Sequence, residues 1–343
     1  MNEKMSGDMH SRQGQGASID EFIRETSWGY RPAILLLTAN RLRIFDSLAE
    51  EPSTAQRLSE RLGLNERALE ILLDALTAIG LLGKQEDRFL VEADVRAVLV
   101  NGGKRFQANI LDHRYNLLGR WIELPRVVEQ GGPAKIMKSK RTPGEWREFI
   151  LGMVDVAGAS IDAFLGALDL SDRIKLLDLG GGPGTYAIAL CRRYPGLHAV
   201  VFDLPETVPI AKEQNEHYGL TGRIETAAGN YLTDPLGGGY DALLVSNILH
   251  SLSFDEIVAV LEKARSAMIP GGLAAVRDFH LDESRTRPLE SVLFAVNMLV
   301  STEGGNCYTS GEMKEALRLS GFDGIRAKSI SPVASLYLGS NPG

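Results

Sequence analysis

The sequence is short of cysteine and of long hydrophobic runs, and each shortage excludes a class of protein. Two cysteines among 343 residues, Cys191 and Cys307, cannot form a disulfide framework, and their spacing suits no zinc site. The longest apolar stretches, such as residues 33–37, fall far below a membrane span. A net charge of −7 disfavours a broad nucleic-acid interface. The composition therefore predicts a reduced, cytoplasmic protein with no metal site, no nucleic-acid partner and no membrane partner.

Three segments precede the part of the chain that carries the strongest motifs. Residues 1–18 are polar and rich in Gly and Ser, which predicts a disordered leader. Residues 19–104 carry apolar residues at helical spacing, followed by a short hairpin, and predict a winged-helix-like domain. Residues 105–165 predict a helical connector that supplies helices to a substrate pocket, with a Gly/Pro-rich loop over residues 130–146.

The predicted winged helix contains two helices joined at Gly63. Ser53 or Thr54 is expected to cap the first of them, and Asn65 the second. Winged helices often bind DNA, but acidic and basic residues nearly balance in this helix pair. Since affinity for the phosphate backbone needs an excess of positive charge, we expect no DNA binding here.

Residues 166–343 alternate short apolar runs with helical patterns. The predicted strands are IKLLDL, HAVVFDL, YDALLVSNIL and GGLAAVRDFHL, and the longest helix between them is DEIVAVLEKARSAMI. This alternation is typical of a doubly wound α/β domain with a parallel sheet. The predicted fold class is therefore α/β, a Rossmann-like domain preceded by a mostly α-helical winged-helix domain.

A glycine-rich loop follows the first of these strands. Gly180, Gly182 and Gly184 form G-x-G-x-G directly after Asp178, and glycines allow a sharp turn and a close approach to a ligand. The third glycine comes one residue early for a dinucleotide site, and Pro183 lies inside the loop. An acidic strand end would repel a pyrophosphate. It suits a cationic or zwitterionic ligand, such as the amino group of S-adenosylmethionine (SAM).

Further candidate cofactor-binding residues follow the next strands. Asp203 ends the second strand, where its carboxylate is placed to accept ribose hydroxyls, and Leu204 follows it. Asn230, just past a short strand, is a candidate for an adenine contact, although a turn asparagine is the simpler alternative. Tyr231 and Ser246 complete the predicted cofactor-binding set.

Three blocks of sequence, in this order, resemble the class I SAM-dependent small-molecule O-methyltransferases. This family includes plant caffeate and flavonoid enzymes, hydroxyindole O-methyltransferase and bacterial natural-product enzymes. The blocks are LRIFDSLAEEPSTAQRLSERLGL, LDLGGGPGTYAIALCRRYPGLHAVVFDLPETV and NMLVSTEGGNCYTSGEMKEALRLSGF. The resemblance covers nearly the whole chain. It implies SAM as cofactor, a small-molecule acceptor and a homodimer formed through residues 19–104.

The resemblance gives the histidine of NILHSLSFDE a role. His250 matches the general base of the family, where a neutral imidazole removes the acceptor proton. The Asp-Trp pair that follows the histidine in the family is replaced by Ser251 and Leu252. A histidine that only caps a strand is the structural alternative.

The family orients its histidine with two acids, and only one is present. Asp278 matches the first, in a position where plant members carry glutamate. An ion pair of this acid with the neighbouring Arg277 is the alternative. Cys307 stands where the second acid is expected, and we interpret it as a small apolar core residue.

Candidate substrate-binding residues lie on three predicted helices. The resemblance points to Asn297 and Met298, and helical spacing adds Met153 and Phe149, which are equally well explained as core residues. A further helix carries His113, Arg114 and Trp121. Arg114 is placed to bind a substrate carboxylate, with an ordinary surface arginine as the alternative.

The sequence predicts a homodimeric SAM-dependent methyltransferase that acts on the hydroxyl oxygen of a small aromatic or polyketide-like metabolite. Two alternatives remain open. The first is transfer to carbon or nitrogen on the same fold, for which the residues around His250 and Cys307 leave room. The second is a winged-helix regulator that binds SAM or a metabolite without catalysis.

Overall fold

The computed structural model describes residues 18–133, 141–158 and 160–343. The chain divides into two compact units, Met1–Asn116 and Leu117–Gly343. The predicted leader lies outside the described residues except for Ser18. The Ser18 side chain accepts a hydrogen bond from the backbone N–H of Glu21 and so caps the first helix.

The N-terminal unit is mostly helical. Its helices are α1 (Ile19–Trp28), α2 (Tyr30–Arg41), α3 (Ile44–Glu50), α4 (Ala55–Leu62), α5 (Glu66–Ala78), α6 (Ala93–Leu99) and the first part of α7 (Ala108–Ile122). Strands β1 (Ser53–Thr54), β2 (Gly83–Gln85) and β3 (Arg88–Leu90) form an antiparallel sheet in the order β1-β3-β2. The helix pair α4–α5 and the β2–β3 hairpin confirm the predicted winged helix.

Capping residues set the limits of α4 and α5. Thr54, rather than Ser53, caps α4 by accepting the N–H of Arg57, and Asn65 caps α5. Gly63 ends α4 with a φ of +66°, a conformation that favours glycine.

The C-terminal unit alternates helices and strands, as predicted. Its helices after α7 are α8 (Leu124–Gln130), α9 (Pro143–Gly158), α10 (Ile161–Ala167), α11 (Thr185–Arg193), α12 (Val208–His217), α13 (Phe254–Ser266), α14 (Leu289–Ser301) and α15 (Ser310–Leu319). Its strands are β4 (Lys175–Leu179), β5 (His198–Asp203), β6 (Ile224–Ala228), β7 (Tyr240–Ser246), β8 (Met268–Leu281), β9 (Tyr308–Thr309), β10 (Asp323–Ser331) and β11 (Ala334–Ser340).

The order of the strands positions the site. The main sheet runs β10-β11-β8-β7-β4-β5-β6, with β9 paired to β8. Neighbours from β8 to β6 are parallel, whereas β11 and β10 are antiparallel. The chain moves outward from β4 to β6 and then returns to β7 on the other side of β4. Ligands of doubly wound folds bind beyond the carboxyl ends of the strands at such a reversal.

Both faces of this sheet are buried, which explains the near-continuous apolar strands. Leu177 and Leu243 belong to the core on one face, and Leu176 and Leu244 belong to the core on the other. The alternation follows from the two-residue period of side chains along a strand.

Three boundaries differ from the prediction. Helix α9 begins at Pro143, inside the predicted loop, because Thr142 and Glu145 form reciprocal capping hydrogen bonds and proline is favoured in the first turn. Strand β7 ends at Ser246 instead of continuing to Leu249. Helix α13 ends at Ser266, and the two residues Met268 and Ile269 that were expected in it begin β8.

No single helix in the described ranges is long and apolar enough to cross a membrane. The bent pair Pro143–Gly158 and Ile161–Ala167, whose axes differ by 62°, meets that test by combined length and composition.

Candidate active site

The glycine loop after β4 adopts a backbone that side chains would disrupt. Gly180, Gly182 and Gly184 have φ values of +64°, +57° and +77°. The φ of Gly181 lies outside the left-handed region, but there is no space for a side chain at this position. A Cβ there would lie 2.7 Å from Oδ2 of Asp178. The loop therefore packs its backbone directly onto the acid that precedes it.

Asp203 joins the end of β5 to this loop. Its Oδ2 accepts the N–H of Gly182 at 2.8 Å and its Oδ1 accepts the N–H of Leu204 at 2.7 Å. Burial raises the pKa of Asp203, and these backbone hydrogen bonds, with one from Thr207, oppose the rise. The carboxylate is thus held in place with lone pairs remaining for hydroxyl donors.

Asp178 is a buried acid without a good partner. Its carboxyl group is almost fully buried, and neither oxygen has a hydrogen bond of normal geometry with a described residue. Burial, and then the charge of Asp203, raise the pKa of Asp178 to about 7, and the N–H of Ala187 offsets only part of that rise. An unpartnered buried carboxyl is unfavourable unless a ligand supplies a donor or a positive charge.

The remaining predicted cofactor residues also lie at the carboxyl ends of the strands. Asn230 follows β6, and its Oδ1 accepts the N–H of Leu232, so the side chain stabilises a turn. Burial raises the pKa of the neighbouring Tyr231. Ser246 ends β7, and its buried hydroxyl lacks a hydrogen-bond partner among the described residues.

His250 and Asp278 meet at the same edge of the sheet. His250 lies in a 3₁₀ turn (Leu249–Ser251) after β7, and Asp278 lies in β8. Nδ1 of His250 is 2.6 Å from Oδ1 of Asp278, and the backbone N–H of His250 donates to Oδ2 at 3.1 Å. The His250 side chain is 13% exposed, whereas that of Asp278 is only 2% exposed.

The partners of Asp278 determine the tautomer of His250. Oδ1 also accepts the N–H of Phe279 at 2.8 Å, so both oxygens serve as acceptors. Nδ1 of His250 therefore donates, which leaves Nε2 with its lone pair free to accept a proton. This is the arrangement of an oriented general base.

Arg277 does not pair with Asp278, contrary to the alternative considered from the sequence. It is buried, and its guanidinium donates to Oδ1 of Asn247 at 2.6 Å and to the hydroxyl of Ser160 at 3.0 Å. Asn247 has a φ of +56°, a conformation that asparagine tolerates better than most residues. Arg277 and Asn247 thus fix the turn that carries His250; the sequence suggested another role for Arg277 and none for Asn247.

Two phenylalanines line the imidazole of His250. The ring centroid of Phe294, on α14, lies 4.8 Å from that of His250 in a T-shaped arrangement. Phe279 stacks on Phe294 with centroids 4.1 Å apart. Aromatic walls of this kind favour a planar apolar ligand beside the base. The sequence contained one signal for Phe294, which precedes the predicted Asn297 by three residues on a helix.

Cys307 lies near the pair but is fully buried. Burial, and then the charge of Asp278, raise the pKa of its thiol to about 12. The thiol is therefore neutral at physiological pH and provides no replacement for the second acid.

The predicted substrate residues divide between the two units. In the C-terminal unit, Oδ1 of Asn297 accepts the indole N–H of Trp121 at 3.1 Å. Met298 is buried on the same helix, α14, and Met153 and Phe149 are partly buried on α9.

His113 and Arg114 lie on α7 in the N-terminal unit. His113 is buried and Arg114 is exposed, as expected for adjacent positions on a helix that has one buried face. Their assignment to the substrate stays a prediction.

Comparison with known proteins identifies the family. The family model of the O-methyltransferase domain matches residues 128–323, and that of the O-methyltransferase dimerisation domain matches residues 25–99. The chain belongs to the O-methyltransferase family. It is an SAM-dependent methyltransferase, as the resemblance implied, and its dimerisation domain supports a homodimer. Catalysis is thereby favoured over the regulator alternative.

Individual relatives agree in length and fold. The methyltransferase is 32% identical to 3-hydroxy-5-methyl-1-naphthoate 3-O-methyltransferase of Streptomyces sahachiroi, over 85% of this chain and 86% of that protein. The crystal structure of human N-acetylserotonin methyltransferase in complex with SAM has a TM-score of 0.86 and 25% identity, and the match covers 96% of this chain and all of that one.

Not every relative is named for transfer to oxygen. An N,N-dimethyltransferase, OxyT of Streptomyces rimosus, is 28% identical over 77% of this chain and 79% of its own length. An L-tyrosine C(3)-methyltransferase of Streptomyces lavendulae is 27% identical over 84% of this chain and 82% of its own length. Membership of the family therefore defines a small-molecule methyltransferase and leaves the accepting atom to the site.

Proposed function

We propose that this methyltransferase transfers a methyl group from SAM to the hydroxyl oxygen of a small aromatic acceptor, with His250 as the general base. The observation that carries the proposal is the contact of 2.6 Å between Nδ1 of His250 and Oδ1 of Asp278. With Nδ1 donating to Asp278, the imidazole keeps a free Nε2, and its ring lies beside Phe279 and Phe294, which supports the proposed role. An amine acceptor needs positioning more than it needs a base, so an oriented imidazole favours a hydroxyl acceptor.

The residues around the glycine loop fit SAM. Asp203 retains acceptor capacity for the ribose hydroxyls, and the unpartnered Asp178 suits a nearby cationic ligand. Gly180 and Gly182 hold the backbone close to the ligand, and Asn230 with Tyr231 lies on the adenine side. Leu204 and Ser246 complete the proposed contacts. When bound, SAM supplies an electrophilic methyl group on a sulfonium.

The chain's own residues then prepare the acceptor. Nε2 of His250 would accept the proton of the acceptor hydroxyl as that oxygen takes up the methyl group. Asp278 holds the imidazole in the required tautomer and stabilises the imidazolium that forms. Phe279 and Phe294 exclude water and hold the ring of the acceptor. Holding the oxygen in line with the methyl group supplies much of the acceleration.

The acceptor class rests on the aromatic wall and on the relatives. The relative from Streptomyces sahachiroi is named for methylation of a hydroxynaphthoate. A fused-ring phenol of that size suits a wall of two stacked phenylalanines. Transfer to carbon or nitrogen remains the second candidate, because two relatives are named for those atoms.

The nature of the product tests this proposal. The enzyme is incubated with SAM carrying a deuterated methyl group and with a panel of naphthols and hydroxynaphthoates, and products are identified by mass spectrometry and NMR. We expect the label in a methoxy group. The same compounds with the hydroxyl already methylated serve as controls and should not react. Label attached to a ring carbon, or turnover of the methoxy controls, would refute transfer to oxygen.

Substitution of Gly181 tests the proposed SAM site. A Cβ in Gly181→Ala would lie 2.7 Å from the Asp178 carboxyl and 3.0 Å from Val201, so the loop must shift. We expect SAM affinity to fall at least about tenfold, equivalent to about 1.4 kcal/mol, as measured by calorimetry. Gly196→Ala is the control, because no heavy atom lies within 4 Å of the position that a Cβ would occupy there. Equal affinities for the two variants would contradict the assignment.

A further inference from the structure

Two partly buried arginines bring positive charge to the substrate side of the C-terminal unit. The guanidinium of Arg141 lies 4.3 Å from the ring centroid of Phe149 and 5.6 Å from that of Trp146. Nη1 of Arg120, near the end of α7, donates to the carbonyl of Ser301 at 3.4 Å. Within the described part of the chain, neither guanidinium forms an ion pair.

The charges of these arginines act on each other. Burial, and then the charge of Arg120, lower the pKa of Arg141 to about 10, and the attraction of Glu145 offsets only part of that change. Like charges held together away from water are unfavourable. A bound anion would stabilise the pair.

Helix α14 connects Arg120 to the catalytic end of the site. Phe294, Asn297 and Ser301 are spaced by three and four residues and share one face of this helix. Phe294 contacts the imidazole of His250, and Ser301 accepts from Arg120. Seven residues of helix separate these two positions by roughly 10 Å. A fused-ring acceptor with its polar groups at opposite ends suits this separation.

Helix α9 connects Arg141 to the cofactor end. The aromatic face that Arg141 covers includes Trp146, whose indole N–H donates to the hydroxyl of Thr207 at 3.2 Å. Thr207 in turn hydrogen-bonds Asp203. Arg120 therefore contacts the helix that lines the base, and Arg141 contacts the helix whose Trp146 hydrogen-bonds beside the SAM-binding acid.

We propose that Arg120 and Arg141 bind the carboxylate of the acceptor, so that the substrate class is an aromatic hydroxy acid. The inference rests on the proposed O-methylation and deepens it. A planar guanidinium matches a carboxylate with two parallel hydrogen bonds. With the acid held by this arginine pair, the aromatic rings extend along α14 and the hydroxyl reaches Nε2 of His250.

The test uses two probes that differ only in charge, 6-hydroxy-2-naphthoate and its carboxamide. Both are titrated into the full-length enzyme saturated with S-adenosylhomocysteine. We expect the acid to bind at least about tenfold more tightly than the amide, equivalent to about 1.4 kcal/mol. Added salt should lower the affinity for the acid and leave the affinity for the amide unchanged. Arg120→Gln and Arg141→Gln should each lower the affinity for the acid about tenfold, while the affinity for the amide changes less than about twofold.

Two control variants separate charge from folding. Arg126→Gln removes an exposed arginine paired with Glu123 and should leave both affinities unchanged. Arg141→Lys keeps the charge and should bind the acid better than Arg141→Gln does. Equal affinity of the wild-type enzyme for the two probes, absence of binding for both, or equal weakening of both by the glutamine variants would each overturn the proposal.

Turnover separates this inference from the proposed function. If the acid bound in an arginine-dependent way but no methoxy product formed, O-methylation would be refuted and the proposed carboxylate site would stand. Methoxy product formed from acid and amide with equal kcat/KM, alongside equal binding, would refute the anion site and retain O-methylation.

Discussion

His250→Ala is expected to lower kcat for a phenolic acceptor by roughly 10²- to 10⁴-fold, the usual contribution of a positioned general base. The acceptor hydroxyl would then lose the imidazole that Asp278 orients to accept its proton. SAM affinity should change less than about threefold, because His250 makes none of the proposed contacts with SAM. Steady-state kinetics with calorimetry of SAM binding measure both quantities.

The control for this substitution is His217→Ala. His217 is exposed on α12, and its ring contacts only that of Tyr218 among the described aromatic residues. This variant should retain the kcat of the wild-type enzyme. A His250→Ala enzyme with kcat within about threefold of the wild-type value would rule out base catalysis and would favour the amine acceptor instead.

Much of the fold follows from local rules that a sequence displays. Parallel strands buried on both faces read as apolar runs, and capping residues such as Thr54 and Asn65 mark helix starts. The errors arose where tertiary context decides. The apolar residues after Ser246 continue the strand pattern, but the turn at Asn247 is fixed by Arg277 from a neighbouring strand. Arg277 is 30 residues from Asn247 along the chain, so the local sequence pattern around Asn247 cannot indicate this hydrogen bond.

The site divides in the same way. Asp178 and Asp203 lie at the carboxyl ends of β4 and β5, and His250 follows β7, so the pairing of these parallel strands brings all three to one edge of the sheet. The aromatic wall is formed by Phe279 on β8 and Phe294 on α14. No regular spacing in the sequence indicates that these two side chains pack together. The sequence directed attention to Arg114 as a carboxylate ligand, whereas Arg120 and Arg141 are the partly buried arginines of the C-terminal unit that we propose for that role. Burial is a tertiary property, and it distinguishes these arginines from an exposed one.

Asp278→Asn should lower kcat by between about 10² and 10⁴-fold although it preserves the shape of the side chain. Asp278 now accepts from Nδ1 of His250 and from two backbone N–H groups. An asparagine has one acceptor oxygen, so one of these donors must face its amide N–H₂. Where the amide faces Nδ1, the imidazole carries its proton on Nε2 and cannot accept another.

Asp241→Asn distinguishes this orienting role from a structural one. Asp241 also accepts two backbone N–H groups, those of Ile174 and Lys175 at 2.8 Å, but it lies at the opposite end of β7 from His250. Both variants should lower the melting temperature by similar amounts, since each loses comparable hydrogen bonds. Only Asp278→Asn should lower kcat. If both variants lost stability and neither lost activity, Asp278 would be a strand-end acid that supports the turn, and His250 would not require its carboxylate to act on the acceptor.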